Sequence, residues 1–392
     1  MRLIHTSDWH LGRAFHGVRL LDAQAAYLDH LVETARRERV DAVVVAGDVY
    51  DRAIPAPDAV ELLSDVLHRL QAVGTQVVLS PGNHDSARRL GFGSGLLEHA
   101  GVHIRTSVDD LARPVLVGDG AIYALPYLDP ASVSVTDALG VSTRSHAAVL
   151  SAAMDRVRAD AATRGPRTVV AAHCFAVGGA SSDSERDIAC GGVSAVPTSV
   201  FDGVSYVALG HLHGAQQVGE RAWYSGSPVA MSFSEAGHTK CSLLVEVDET
   251  GTAHVERLAA PVTRRLATLR GDLEDLLADP ALEDARDAWV QATLTDTLAP
   301  RRAMEQLRTR FPHTLSLVLD PRGGVVREHR RPSQVAGRAA VEVCTDFVAD
   351  VRPGGTVGDD ERALLREAVE AVQRAHDDEG SASTVTGERG VA

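Results

Sequence analysis

The chain has 392 residues, room for two or three domains and a sizeable buried core. A hydrophobic share of 44% and a mean hydropathy of -0.05 fit a globular protein, and no apolar run of about 18 residues occurs that would cross a membrane. The net charge of -14, from 39 basic against 53 acidic residues, argues against a large nucleic-acid surface made by this chain alone, although bound divalent cations or basic pairs such as Arg88-Arg89 and Arg301-Arg302 reverse the sign locally.

The start, MRLIHTSDWH, lacks the long apolar core of a secretory leader, and the four Cys at 174, 190, 241 and 344 have no C-x-x-C spacing, so a reducing cytoplasm is the expected location. RLIH opens as a strand. Leu28, Leu31, Val32 and Ala35 recur at helical spacing and predict a helix over about 22–39. DAVVVAGD reads as a buried strand, followed by a helix begun by Pro57 with Val60, Leu63, Leu67 and Leu70 along it, and by the strand TQVVLSPG. From IYALPYL the theme repeats, with a helix over about 147–163 and the strands RTVVAAH, YVALGH, AWYSGSP and CSLLVEVD. Near-continuous β-branched runs separated by helices are the pattern of a parallel or mixed sheet covered on both faces, so residues 1–262 are expected to form one α/β domain.

Residues 263–321 read as strand (RRLATLRG), helix (DLEDLLAD), strand (DAWVQATLTD), helix over 300–311 and strand (HTLSLVLD), a small α/β cap. Residues 322–338 are expected to be a linker. Two helices follow over 339–350 and 360–376; within the 339–378 region they bury too little core to stand alone and are expected to dock on a partner. Residues 379–392 have the composition of a disordered tail.

Several strands end in the same kind of residue: Asp8 and His10 after LIHTS, Asp48 after VVVAG, Asn83 after VVLSPG, His173 after VVAA, and His211 and His213 after VALG. In open α/β sheets ligands bind at the carboxyl ends of strands, so these groups are expected on one edge. The pairs Asp8/His10 and His211/His213 are two apart, which in extended backbone puts both side chains on one side. Two carboxylates, four imidazoles and one amide make seven donors, too many for one ion with an open position and suited to two ions that share a carboxylate. Nitrogen and oxygen donors without thiolate favour Mn²⁺, Fe²⁺ or Zn²⁺ over Mg²⁺ alone. Two such ions about 3.5–4 Å apart suit in-line hydrolysis of a phosphate ester. Arg13, His16 and Arg19 follow the first donor pair and Arg88 and Arg89 follow the His84 turn; each reads either as a contact to phosphate or as a solvated loop residue. Cys174 reads as a small core residue and His5 as core or support.

The order Asp-x-His, Gly-Asp, Gly-Asn-His-Asp, His and Gly-His-x-His resembles the calcineurin-like metallophosphoesterase superfamily, with all five blocks intact over about 1–260. HTSDWHLGR (His5–Arg13), GDVYDRAIP (Gly47–Pro55), PGNHDSARRL (Pro81–Leu90), SDSER (Ser182–Arg186), GHLH (Gly210–His213) and YSGSP (Tyr224–Pro228) are similar to the SbcD family of bacterial Mre-type DNA double-strand-break nucleases. The resemblance implies a calcineurin-like metallophosphoesterase sandwich of two mixed β-sheets flanked by helices. It implies two Mn²⁺ ions, one held by Asp8, His10 and His213, the other by Asn83, His173 and His211, with Asp48 bridging. His84 would face the scissile phosphate as a catalytic group, and Asp85 would either orient His84 or fasten the turn.

The implied activity is 3′-to-5′ exonuclease on double-stranded DNA and endonuclease on single strands and hairpins. The implied setting is a nucleoid-associated homodimer inside a heterotetramer with an SbcC-type ABC ATPase, whose coiled coil the C-terminal helices would bind. The chain has no Walker A motif, so any ATP dependence belongs to that partner. A calcineurin-like phosphatase or phosphodiesterase acting on a small or protein substrate is the alternative; it would leave the cap and the terminal helices without a purpose.

Overall fold

The computed structural model describes residues 1–186, 188, 195–322, 338–351 and 356–382. Its first compact unit, Met1–Arg322, is built on two six-stranded sheets. The first runs, in spatial order, Ala253–Ala259, Cys241–Val247, Arg2–Thr6, Ala42–Ala46, Gln76–Ser80 and Val102–Ile104. Its last four strands are parallel and the other two pair antiparallel, so the sheet is mixed. The second runs Gln216–Val218, Ala222–Tyr224, Tyr206–Gly210, Thr168–His173, Gly120–Ala124 and Val115–Val117, with four parallel strands between two antiparallel edges.

Strand alternation sorts the side chains into layers. Leu3, Ala42, Val44, Ala46 and Val78 face inward and meet Ile122, Val169, Ala171, Tyr206 and Ala208 of the second sheet. The opposite face of the first sheet, Ile4, Val43, Val45, Val77 and Leu79, packs on the helices Leu21–Glu38 and Pro57–Ala72. The outer face of the second sheet, with Val170, Ala172, Val207 and Leu209, is covered by the helix His146–Ala161. This is the sandwich that the sequence leads one to expect. Val60 departs from expectation, since Ala59, Leu63, Val66, Leu67 and Leu70 form the buried face of its helix and Val60 lies in solvent.

The small unit after residue 262 is a three-stranded parallel sheet, Leu266–Gly271, Trp289–Leu294 and Thr314–Leu319, packed on the helices Leu273–Ala278 and Ala303–Arg310 around Leu269, Leu276, Val290, Leu307 and Phe311. The second of these helices starts later than its sequence pattern, because Arg302 takes a left-handed φ of 53° immediately before it. Phe15, Phe233 and Trp289 meet where this sheet joins the sandwich, with ring centroids 4.9 and 5.8 Å from that of Phe15.

The second unit, described by itself, holds the helices Ala340–Val351 and Asp359–Ala382, which pack on one another. The longer helix runs past residue 379, the expected start of the tail; residues 383–392 and most of the expected linker, 323–337, lie outside the described residues. Among the described residues no helix is long and apolar enough to cross a membrane.

Candidate metal centre

Asp8, Asp48 and Asn83 follow the ends of three adjacent parallel strands of the first sheet, and His173 and His211 stand at the ends of two adjacent strands of the second. The seven donors therefore meet across the edge of the sandwich. The local backbone differs from expectation. Asp8, His10, Asp48 and His211 have φ of 54°, 44°, 51° and 106°, so left-handed turns, not extended alternation, bring the paired donors to one side. Such backbone is costly for residues with a Cβ and is held by its surroundings. Two glycines make the approach possible: a Cβ on Gly82 would stand 2.1 Å from Asp48 Oδ1, and one on Gly210 would stand 1.8 Å from Ala46 O.

The contacts define two neighbouring clusters. In one, His10 Nε2 is 3.3 Å from His213 Nε2 and 3.5 Å from Asp48 Oδ2, and Asp8, His10 and His213 offer ligand atoms within 4.8 Å of one another. In the other, His173 Nε2 is 2.9 Å from Asn83 Oδ1 and 3.5 Å from Asp48 Oδ2. Asp48 faces both clusters. Asp8 accepts the backbone N–H of His211 at 3.0 Å and the Ser7 hydroxyl at 2.5 Å. The His211 ring lies beside that of His173, with centroids 5.4 Å apart.

The donor chemistry fits a cation in each cluster. The Ala46 carbonyl only accepts, so His173 Nδ1, 3.0 Å away, carries the ring proton and Nε2 points a lone pair at the oxygens of Asn83 and Asp48. The amide orientation that turns Asn83 Oδ1 toward this lone pair leaves its buried Nδ2 without a partner, an arrangement that a cation between the acceptors favours. At His213 the burial of Glu235 pushes its carboxyl up, but the His213 ring and the Lys240 ammonium outweigh this and hold it at about 2. Ser184 therefore gives its single proton to Glu235 at 2.6 Å and accepts from His213 Nδ1 at 2.6 Å, which leaves His213 Nε2 as a lone pair toward His10.

Burial lowers His10, reinforced by the neighbouring His213 and His84 rings, and lowers His211 and His173 as well. These imidazoles are held in the neutral form that binds metal. Asp8 is pushed up by burial and by the charge of Asp48, a penalty that a bound cation reverses.

His84 lies beside the first cluster, its ring centroid 4.6 Å from that of His10. Its Nδ1 donates to Asp51 O at 2.9 Å, which aims Nε2 away from that anchor, and its backbone N–H donates to Asp48 Oδ1 at 2.9 Å. Because His10, Asp48 and His84 also offer ligand atoms within 4.8 Å of one another, geometry alone admits His84 as a ligand. The Asp85 carboxylate accepts the backbone N–H groups of Val49, Tyr50 and Gly82 at 3.0, 2.9 and 2.9 Å and ties the Asn83 turn to the Asp48 turn. Burial and the Asp48 charge nevertheless push it up to about 7.

The basic residues divide. Arg13 is half-buried and donates to Asp51 Oδ1 at 3.1 Å and Ser184 O at 3.2 Å, at the rim of the site. His16 is exposed and rests on Phe15 and Phe233. Arg19 pairs with Asp58 at the surface. Arg88 is exposed, and exposed Arg89 donates to Ala53 O at 3.1 Å. Cys174 is wholly buried among apolar side chains, and His5 bonds Tyr206 Oη and Leu209 O of the opposite sheet at 2.9 and 3.1 Å.

Residues 1–215 match the family described as calcineurin-like phosphoesterase, and residues 262–351 match the SbcD_C family, described as type 5 capsule protein repressor C-terminal domain. Two relatives named as a subunit of the nuclease SbcCD, from Escherichia coli (strain K12) and Escherichia coli O157:H7, are each 36% identical over 316 residues, covering 75% of this chain and 78% of theirs. The chain belongs to the SbcD family. Among solved structures it is similar to a dimetal phosphatase from Danio rerio, 16% identical with a TM-score of 0.38, covering 67% of this chain and 97% of that one.

In this SbcD-family chain several supporting residues lie outside the donor motifs. Gln24, buried on the inner face of its helix, donates to Trp9 O and His10 O at 3.0 and 2.7 Å and accepts from Gly12 N at 3.1 Å, fixing the His10 turn. Its signal in sequence is an amide at the helical spacing of Tyr27, Leu28 and Leu31. Glu185 accepts the His213 backbone N–H at 2.8 Å, and Glu235 and Lys240 form a buried ion pair behind the same residue. Nothing local in the sequence marks this pair as buried.

Proposed function

We propose that this chain is the nuclease subunit of an SbcCD-type complex, hydrolysing DNA phosphodiesters in end processing, repair and recombination. The carrying observation is the meeting of Asp8, His10, Asp48, Asn83, His173, His211 and His213 in a two-cluster site whose lone pairs converge, in a chain of the SbcD family. Asp8, His10 and His213 would hold one ion and Asn83, His173 and His211 the other, with Asp48 between them; Mn²⁺ suits this mixture of nitrogen and oxygen donors. Divalent cations held there supply Lewis acidity, which makes water acidic enough to attack at neutral pH and offsets phosphate charge.

The protein's own groups do the rest. His84, anchored through Nδ1 to Asp51 O, presents Nε2 to a phosphate beside the clusters, and in its doubly protonated imidazolium form it gives the Nε2 proton to the departing oxygen. Asp85 holds the turn that carries both Asn83 and His84. Arg13, at the rim of the site, and His16, Arg19, Arg88 and Arg89 would serve as phosphate contacts. The expected reactions are 3′-to-5′ removal of nucleotides from duplex ends and opening of single strands and hairpins.

Two further surfaces complete the reading. Phe92, Leu96 and Ile54 are 87%, 80% and 70% exposed, beside a cavity of about 500 Å³ lined by Leu63, Leu67, Leu97 and Val102. A second copy of the chain is the occupant that a two-fold pairing of this face would supply. Phe347, Leu364 and Val372 are likewise exposed on the terminal helices and offer an apolar face to the coiled coil of an SbcC-type ABC ATPase.

The test is cleavage of end-labelled duplex and hairpin DNA in Mn²⁺, with the ATPase partner present. Metal-dependent shortening from 3′ ends and hairpin opening are expected; no cleavage of either substrate would overturn the reading.

A further inference from the structure

His213 is gripped at three points. Its Nδ1 bonds Ser184 Oγ at 2.6 Å, and that hydroxyl donates to Glu235 Oε1 at 2.6 Å. Its backbone N–H donates to Glu185 Oε1 at 2.8 Å, and its backbone carbonyl accepts from Lys240 Nζ at 3.0 Å. Lys240 in turn pairs with Glu235 Oε2 and donates to Ser227 Oγ at 2.9 Å. Glu235 and Lys240 are both buried. A buried ion pair is poor ground for stability by itself, because desolvation of both charges offsets their attraction. Here both members of the pair end on one metal ligand.

His173 and His10 are backed differently. His173 Nδ1 donates to a neutral carbonyl, Ala46 O at 3.0 Å. His10 Nδ1 has Asp51 Oδ1 at 3.6 Å, too far for a hydrogen bond. An anionic acceptor behind a histidine fixes its tautomer and raises the basicity of the ligating nitrogen, and removing such a partner typically weakens metal binding by about 10–100-fold.

We infer that Glu235, acting through Ser184, is a positioning residue for His213 and strengthens metal binding at the Asp8–His10–His213 site. The inference rests on the two-metal reading above. Ser184 is the connecting element: its hydroxyl relays the carboxylate's pull to the ring, so its loss should mimic the loss of Glu235 without disturbing the Glu235–Lys240 pair.

The experiment is a Mn²⁺ titration of the full metal-stripped chain, with free Mn²⁺ followed by electron paramagnetic resonance, for wild type, Glu235→Gln and Ser184→Ala. Each substitution is expected to weaken one site about 10–100-fold and leave the other unchanged. Should Glu235→Gln unfold because Lys240 is left unpaired, Ser184→Ala decides. A Ser184→Ala protein that keeps the wild-type melting temperature and binds both ions with wild-type affinity would overturn the inference, as would equal weakening of both sites. A wild type that binds a single ion, still weakened by Ser184→Ala, would keep the role of Glu235 and sink the two-metal reading instead.

Discussion

His173 Nε2 stands 2.9 Å from Asn83 Oδ1, while the other nitrogen of the same ring donates to the Ala46 carbonyl. The two residues come from different sheets, 90 positions apart, and meet acceptor to acceptor. Two facing lone pairs repel unless a cation lies between them. The contact therefore ties the closure of the sandwich to metal binding, and adding Mn²⁺ should raise the melting temperature of wild type more than that of Asn83→Ala, measured by thermal unfolding with and without the ion.

His84→Gln separates substrate contact from metal binding. With His84 facing the phosphate, the variant should keep its bound Mn²⁺ while kcat on hairpin DNA falls by about 10²–10⁴-fold. Loss of one ion in the same variant would make His84 a ligand beside His10 and Asp48.

His5 gives a pH dependence of stability. Burial lowers it to about 3, against the pull of the Leu209 carbonyl. Below its unfolded pKa of about 6.5 the unfolded chain binds a proton that the folded chain refuses, so stability falls with acidification from there down to the folded value. From pH 6.5 to pH 5 this one group should cost about 2 kcal/mol. Urea unfolding of wild type and His5→Gln at both pH values checks it: the variant should lose less stability, and equal losses would contradict the assignment.

The long strands and helices were legible because apolar periodicity marks them, and the seven donors because they stand at strand ends. The edge strands Val102–Ile104 and Val115–Val117 are three residues each, too short for a pattern to form. The left-handed turns at Asp8, His10 and Asp48 were hidden because they fall on non-glycine residues, held in place by tertiary contacts. Nothing in the sequence singles out Glu235 and Lys240; only the fold reveals that they lie behind His213.

The exposed face around Phe92 and Leu96 predicts assembly. Phe92→Asp with Leu96→Asp should shift the chain from dimer to monomer in sedimentation velocity while leaving its circular dichroism unchanged. A wild type that sediments as a monomer at micromolar concentration would contradict the pairing.

Removing residues 339–392 should abolish co-purification with the SbcC-type ATPase and leave Mn²⁺-dependent hydrolysis of a simple phosphodiester in place. Retained co-purification would remove the docking role from the terminal helices.

The most direct test of the two-metal centre is the amount and coupling of bound Mn²⁺, by elemental analysis and electron paramagnetic resonance on wild type and Asn83→Ala. The account predicts two ions per wild-type chain with an exchange-coupled signal, as ions about 3.5–4 Å apart that share a carboxylate would give, and one uncoupled ion in Asn83→Ala. One ion per wild-type chain at saturation, or two without coupling, would contradict it.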